Sequence, residues 1–324
     1  RKKIILVTLL TGLILLVIFL YNLGQRPDRE YPSFTLHPEK KAATVHDSIP
    51  LQDVVLAGNN WDGVITIFDP KTFTFSYVVW DIGTKKCAIL DSVLDFNQNT
   101  GKFSSNSADK IVKFIKNNNF SLEWILETHI HADHISAARY LKKKLGGKVA
   151  VNNKIKEVID LWAKKFNIKA DISNFDHLLL DEEEFFIGNL SAKFLHTPGH
   201  TPSCSSFVID DYIFVGDLLF MPNFGVGRAD FPGGNSEDLF DSVQKIFSYP
   251  DEYKTLTAHD YPKKEKEERF LSTILEQKNN NIFAKIKNKL DFVQKRKERD
   301  KELPEPKLIN IAIRENIFAG ALIN

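Results

Sequence analysis

Residues Thr128 to Ser136 read THIHADHIS, and no other stretch limits so tightly what the chain can become. His129, His131, Asp133 and His134 follow directly on Leu122 to Leu126, a short apolar run of strand character. Side chains alternate along an extended backbone, so His129 and His131 point the same way at the strand's end. Ala137, Ala138, Tyr140 and Leu141 resume at helical spacing, which predicts a helix start with Asp133 placed to cap its free amides. A lone histidine is more often a surface or core residue than a ligand. Four metal-binding groups at this spacing are different, because buried imidazoles and carboxylates that bind nothing are costly beside a core. The stretch therefore predicts a metal site at a strand-to-helix turn.

With 324 residues and 43% hydrophobic content, the chain can bury a full core in one large or two modest domains. Its net charge of +1 argues against nucleic-acid binding by bulk electrostatics. Cys87 and Cys204 cannot make a disulfide framework; burial as small apolar residues is the default.

Arg1, Lys2 and Lys3 precede Ile4 to Tyr21, an uncharged run rich in Leu, Ile and Val. As a helix it would be about 27 Å long, close to a bilayer's hydrocarbon core of roughly 30 Å. No small-residue cleavage pattern follows at Tyr21 to Gln25. Residues 1–24 are therefore expected to be an uncleaved membrane helix or signal, with the positive cluster inside and the rest facing a bacterial periplasm. Residues 25–50, polar and proline-bearing, read as a linker.

From residue 51 the pattern is β-rich: Val54 to Leu56, Val64 to Phe68, Phe75 to Trp80 and Cys87 to Leu90 are short strands between turn signals. Helix and strand then alternate, with Ala108 to Ile115 and Ile155 to Phe166 helical. Val158, Leu161 and Trp162 are expected on the latter's buried face. A second constellation starts in HTPGH, where Pro198 and Gly199 force a turn that puts His200 on a loop after a strand. Ser206 to Ile209 and Tyr212 to Val215 read as a hairpin that leads to Asp217. GVGRADFPGG (Gly225 to Gly234) matches neither nucleotide fingerprint. Ser236 to Phe247 is a helix with Ser236 as its expected cap, and His259 and Tyr261 follow the strand Leu256 to Ala258. Phe270, Leu271, Ile274 and Leu275, then Ile282 to Val293, suggest helices packed by one stripe, with the Lys- and Glu-rich run as a solvated face. Every candidate ligand thus falls at a strand end or just beyond.

The order HxHxDH, PGHT, GD and AHD resembles the metallo-β-lactamase superfamily over roughly Leu51 to Pro262. GRADFPGG, AHDYP and LPEPKLI are similar to its persulfide dioxygenase branch, whereas glyoxalase II typically carries a GHEY-type sequence at the last site. The resemblance implies an α/β fold, an αββα sandwich over residues 51–262, with residues 263–324 a helical extension and tail packed on it. It implies one Fe(2+) per chain on His129, His200 and Asp217. His131, Asp133, His134 and His259 would then be bonded to ligands or water around it. Arg228 would hold a substrate carboxylate or pair with Asp230, and Tyr261 is a second substrate-side group. The implied substrates are a glutathione-like thiol persulfide and dioxygen; a homodimer is the assembly considered. The alternative places two Zn(2+) on all seven groups with Asp217 bridging, a hydrolase of thioesters or other acyl substrates. Ala137 and Ser92 stand where glycine and proline are common in the family, and neither is a proposed ligand.

Overall fold

The computed structural model describes residues 54–57, 62–169, 172–261 and 268–321. All of these lie in the compact unit Ile49–Asn324. The first sheet is built from β1 (Val54–Ala57), β2 (Asp62–Asp69), β3 (Thr74–Asp81), β4 (Lys86–Leu90), β7 (Ser121–Leu126), β9 (Lys148–Asn152) and β10 (His177–Leu179), in that spatial order. A small sheet orders β6 (Lys102–Ser104), β5 (Val93–Asn97) and β8 (Ile135–Ser136). The second large sheet runs β11 (Glu184–Ile187), β12 (Leu190–His196), β13 (Ser205–Ile209), β14 (Tyr212–Gly216), β15 (Lys254–Thr257) and β16 (Leu271–Thr273).

Period-two alternation explains the layers. Phe75, Tyr77 and Val79 of β3 meet Phe194, Phe207 and Phe214 of the second sheet in the central core, while Val78 and Trp80 face the opposite way. Helices α1 (Asn106–Asn117), α2 (Ala138–Leu145) and α3 (Ile155–Phe166) cover the first sheet's outer face. Leu195, Val208, Ile213 and Val215 face outward from the second sheet and pack against α4 (Ser236–Phe247), α5 (Ile274–Asn280) and α6 (Lys289–Asp300). Helix α7 (Ile309–Asn316) returns to the first sheet's side. The order helix, sheet, sheet, helix is the αββα sandwich expected. Each fully buried phenylalanine of the central layer contributes on the order of 2 to 3 kcal/mol through apolar burial.

Several local expectations change. Asp133 does not cap a helix: after His134 the chain enters β8, which pairs with β5, so α2 starts only at Ala138 and has no side-chain cap. On α3 the buried stripe is Ile155, Val158, Ile159 and Trp162, and Leu161 is 43% exposed. The cap of α4 is Asn235, whose side chain accepts from the amides of Glu237 and Asp238. Leu271 lies in β16, paired antiparallel to β15, because Phe270 is drawn into the intersheet core. Arg296 and Asp300 of the charged run are buried on α6. Cys87 and Cys204 are both free and buried.

The expected membrane anchoring and periplasm-facing placement are corrected. No helix among the described residues is long and apolar enough to cross a membrane. The longest described helices have 12 residues, about 18 Å at the helical rise, and bury only one stripe. Ile4 to Tyr21, on which that expectation rested, lies outside the described residues.

Candidate metal centre

Strand direction gathers the site. β4 and β7 are parallel neighbours, so Asp91 and the 127–134 loop leave the first sheet at one edge. β12 and β14 each run antiparallel to β13, and β14 runs parallel to β15. Three strands of the second sheet therefore end together, and their exits carry His200, Asp217 and His259. Gly216, at φ 52°, makes the two sheets' exits meet: a Cβ there would stand 2.7 Å from Thr128 Oγ1. That close approach accounts for the glycine before Asp217.

His129, His200 and Asp217 offer ligand atoms that all lie within 4.8 Å of one another. His131, Asp133 and His134 form a second such group, and Asp91, Glu127 and His131 a third. Asp217 spans two of these regions. Its Oδ2 lies 3.5 Å from His200 Nε2 and 3.9 Å from His129 Nε2, while Oδ1 lies 3.4 Å from His259 Nε2. His259 Nε2 is also 3.3 Å from Asp133 Oδ2.

Hydrogen bonds set which nitrogen of each ring is free. His200 Nδ1 donates to the Arg228 carbonyl at 2.7 Å, and His259 Nδ1 donates to the Phe73 carbonyl at 3.1 Å, so in each ring Nε2 is the nitrogen turned toward the site. His131 Nε2 instead faces Asp91 Oδ1 at 3.1 Å and Glu127 Oε2 at 3.3 Å. Burial opposes a charge on His131, but these two carboxylates outweigh it and hold the imidazole well above its usual range. His129 goes the other way: burial, then neighbouring His131 and His200, push it well below. Asp133 is held well below the carboxylate range because His259 and His134 outweigh its desolvation.

A cation fits this donor set. His129 Nε2, His131 Nδ1, His134 Nε2, Asp217 Oδ1 and His259 Nε2 are buried atoms with no hydrogen-bond partner. Orphaned polar atoms of that kind are rare singly, and five in one cluster call for a shared positive ion.

The two substrate-side candidates fall on one cavity of about 850 Å³, which reaches Asp133, His200, Asp217 and His259. Arg228 spends three of its five N–H groups within the chain: Nε and Nη2 grip Asp230 at 2.6 and 2.8 Å, and Nη1 donates to the Pro304 carbonyl at 2.7 Å. Tyr261 stacks on His259 and closes an aromatic wall with Phe73, Phe220 and Phe224. Sequence reading overlooked Asp91, Glu127 and Asn316. Two of them carried a signal, since Asp91 and Glu127 each follow a buried parallel strand at the same edge as the histidines. Asn316 carried none, being 180 or more residues away in sequence from each group it binds.

The metallo-beta-lactamase superfamily model matches residues 69–259. The chain belongs to that superfamily. Glyoxylase B2 of Dictyostelium discoideum is 44% identical over 78% of this chain and 89% of that protein. A beta-lactamase hydrolase-like protein of Xylella fastidiosa is 42% identical over 79% of this chain, which spans 60% of that relative's length. Persulfide dioxygenase ETHE1 of Homo sapiens, a mitochondrial protein, is 28% identical over 78% of this chain and 87% of that one. The crystal structure of ETHE1 from Myxococcus xanthus matches with a TM-score of 0.65 and 27% identity, covering 79% of this chain and 98% of the other. As a member of the superfamily the chain carries its His and Asp metal-binding groups, in the order read from the sequence.

Proposed function

We propose that the protein is a non-haem iron dioxygenase that oxidises a low-molecular-weight thiol persulfide to sulfite and thiol. The observation that carries the reading is the trio His129, His200 and Asp217, whose ligand atoms all lie within 4.8 Å of one another. Two histidines and one carboxylate leave open positions, and Fe(2+) held there would supply the redox chemistry that joins dioxygen to sulfur. The balance is persulfide, dioxygen and water giving thiol, sulfite and two protons. The outer sulfur gives up four electrons and dioxygen takes them.

The chain's own part is placement. The Arg228 carbonyl keeps His200 Nε2 turned inward. The aromatic residues Phe73, Phe220, Phe224 and Tyr261 line one side of the cavity, which takes the thiol's remaining atoms. The Arg228–Asp230 pair, tied to Pro304, supports the loop beneath. The 28% identity to a persulfide dioxygenase supports this assignment.

A binuclear zinc hydrolase of thioesters or other acyl compounds is the second reading. It is favoured by the Asp217 carboxylate, whose two oxygens face different histidines, and by the hydrolase-like and glyoxylase relatives at 42% and 44% identity. Metal analysis of anaerobically purified protein, with an oxygen electrode, separates the two. One iron per chain and oxygen uptake on adding glutathione persulfide are expected; two zinc ions with thioester hydrolysis and no oxygen use would reject the dioxygenase.

A further inference from the structure

Helix α7 hydrogen-bonds the metal loop through the side chain of Asn316. Asn316 is 2% exposed. Its Nδ2 donates to the carbonyls of His131 and His134, both at 2.8 Å, and its Oδ1 accepts from the Ser136 amide at 2.7 Å. Those three loop groups flank Asp133 on both sides. The loop has no regular structure of its own between Thr128 and His134, so the His131 and His134 carbonyls depend on partners from elsewhere. The docking of α7 is reinforced beside them. The Arg139 amide donates to the Ala319 carbonyl at 3.1 Å, and Ile313, Ile317 and Ala319 are buried in the first-sheet core.

We infer that Asn316 is a positioning residue for the metal centre: its amide clamps the backbone of His131 and His134 together and so sets the spacing of His131, Asp133 and His134. One planar group bonding three backbone atoms fixes both the separation and the tilt of the loop. A smaller residue would leave two buried carbonyls and one amide without partners, and the loop would shift to find others. The inference concerns the loop's geometry and holds for either reaction above.

The test is Co(II) titrated into the metal-stripped full-length chain, read by competition with a chromophoric chelator and by the visible ligand-field bands. Asn316→Asp is the discriminating variant. It is nearly isosteric and keeps an acceptor for the Ser136 amide, but turns an oxygen toward two carbonyls. A residue that only fills space tolerates this change; a clamp does not. Expected for both Asn316→Asp and Asn316→Ala is Co(II) affinity lowered on the order of 10 to 100-fold, with displaced bands. Asn316→Ala, which opposes no oxygen to the carbonyls, is read alone if the aspartate variant does not fold. Thr273→Ala removes the cap of α5, remote from the site, and serves as the stability control. Parent affinity and bands in a folded Asn316 variant, or equal loss of metal in Thr273→Ala, overturns the inference.

Discussion

Replacing Gly227 with alanine would press a methyl group against the backbone that carries two proposed ligands. An ideal Cβ at Gly227 lies 2.0 Å from the Asp217 carbonyl oxygen, 3.1 Å from the Asp217 carbonyl carbon and 3.5 Å from His200 Cβ. Real Cβ atoms essentially never come within 3.0 Å of such an atom, so the contact must open by at least 1.0 Å, the difference of the two distances. No flexible side chain can absorb this, because the obstructing atoms are main chain. Either Asp217 retreats, or the loop lifts and takes with it the Arg228 carbonyl that accepts from His200 Nδ1 at 2.7 Å. Each route displaces one ligand relative to the others, and a misplacement of about 1 Å commonly costs on the order of 100-fold in a positioned site. Chelator competition on the folded variant should therefore show metal bound roughly 100-fold more weakly, with circular dichroism unchanged. Gly101→Ala is the matched control: at φ 65° it strains the backbone, yet nothing lies within 4 Å of its Cβ. It should cost about 1 to 2 kcal/mol of stability and leave metal affinity intact. A folded Gly227→Ala protein with parent affinity, or a Gly101→Ala protein equally depleted of metal, would refute the steric argument.

Two further outcomes follow from buried charge. Arg296→Met strands Asp300, whose partner Nη2 lies at 2.8 Å, and should destabilise the chain by about 3 to 5 kcal/mol in urea unfolding. The double change with Asp300→Asn, which removes the charge and keeps an acceptor for the Ala229 amide, should recover part of that loss; no recovery would mean the pair's charges are not the cause. Asp176 opposes its desolvation by bonding Lys142 Nζ and the Val149 amide, which together hold its carboxyl below the ordinary range. Its contribution is then present above a pH of about 3.9 and lost as pH falls through the lowered value. The stability gap between parent and Asp176→Asn, followed by denaturant titration from neutral to acid pH, should close at the acid end; a constant gap contradicts the assignment.

The parts of the site that could be read in advance share one property: ligands and strands are both written locally. His129, His131, His200, Asp217 and His259 each follow an apolar run of strand length, and parallel strand ends converge by geometry alone. What escaped reading depends on which surfaces meet. Leu161 has helical spacing but stays 43% exposed, and Ile159 takes the buried position. Phe270 and Leu271 have the spacing of a helix, yet the open edge of β15 and the intersheet core draw them into a strand. Arg228 shows the limit most directly. From sequence, a free guanidinium on a glycine-rich loop fits a substrate carboxylate as well as it fits Asp230. The Pro304 carbonyl, 76 residues on, takes the third of its five N–H groups. The guanidinium is thus held by a structural pair while it still lines the cavity that the aromatic wall around His259 borders.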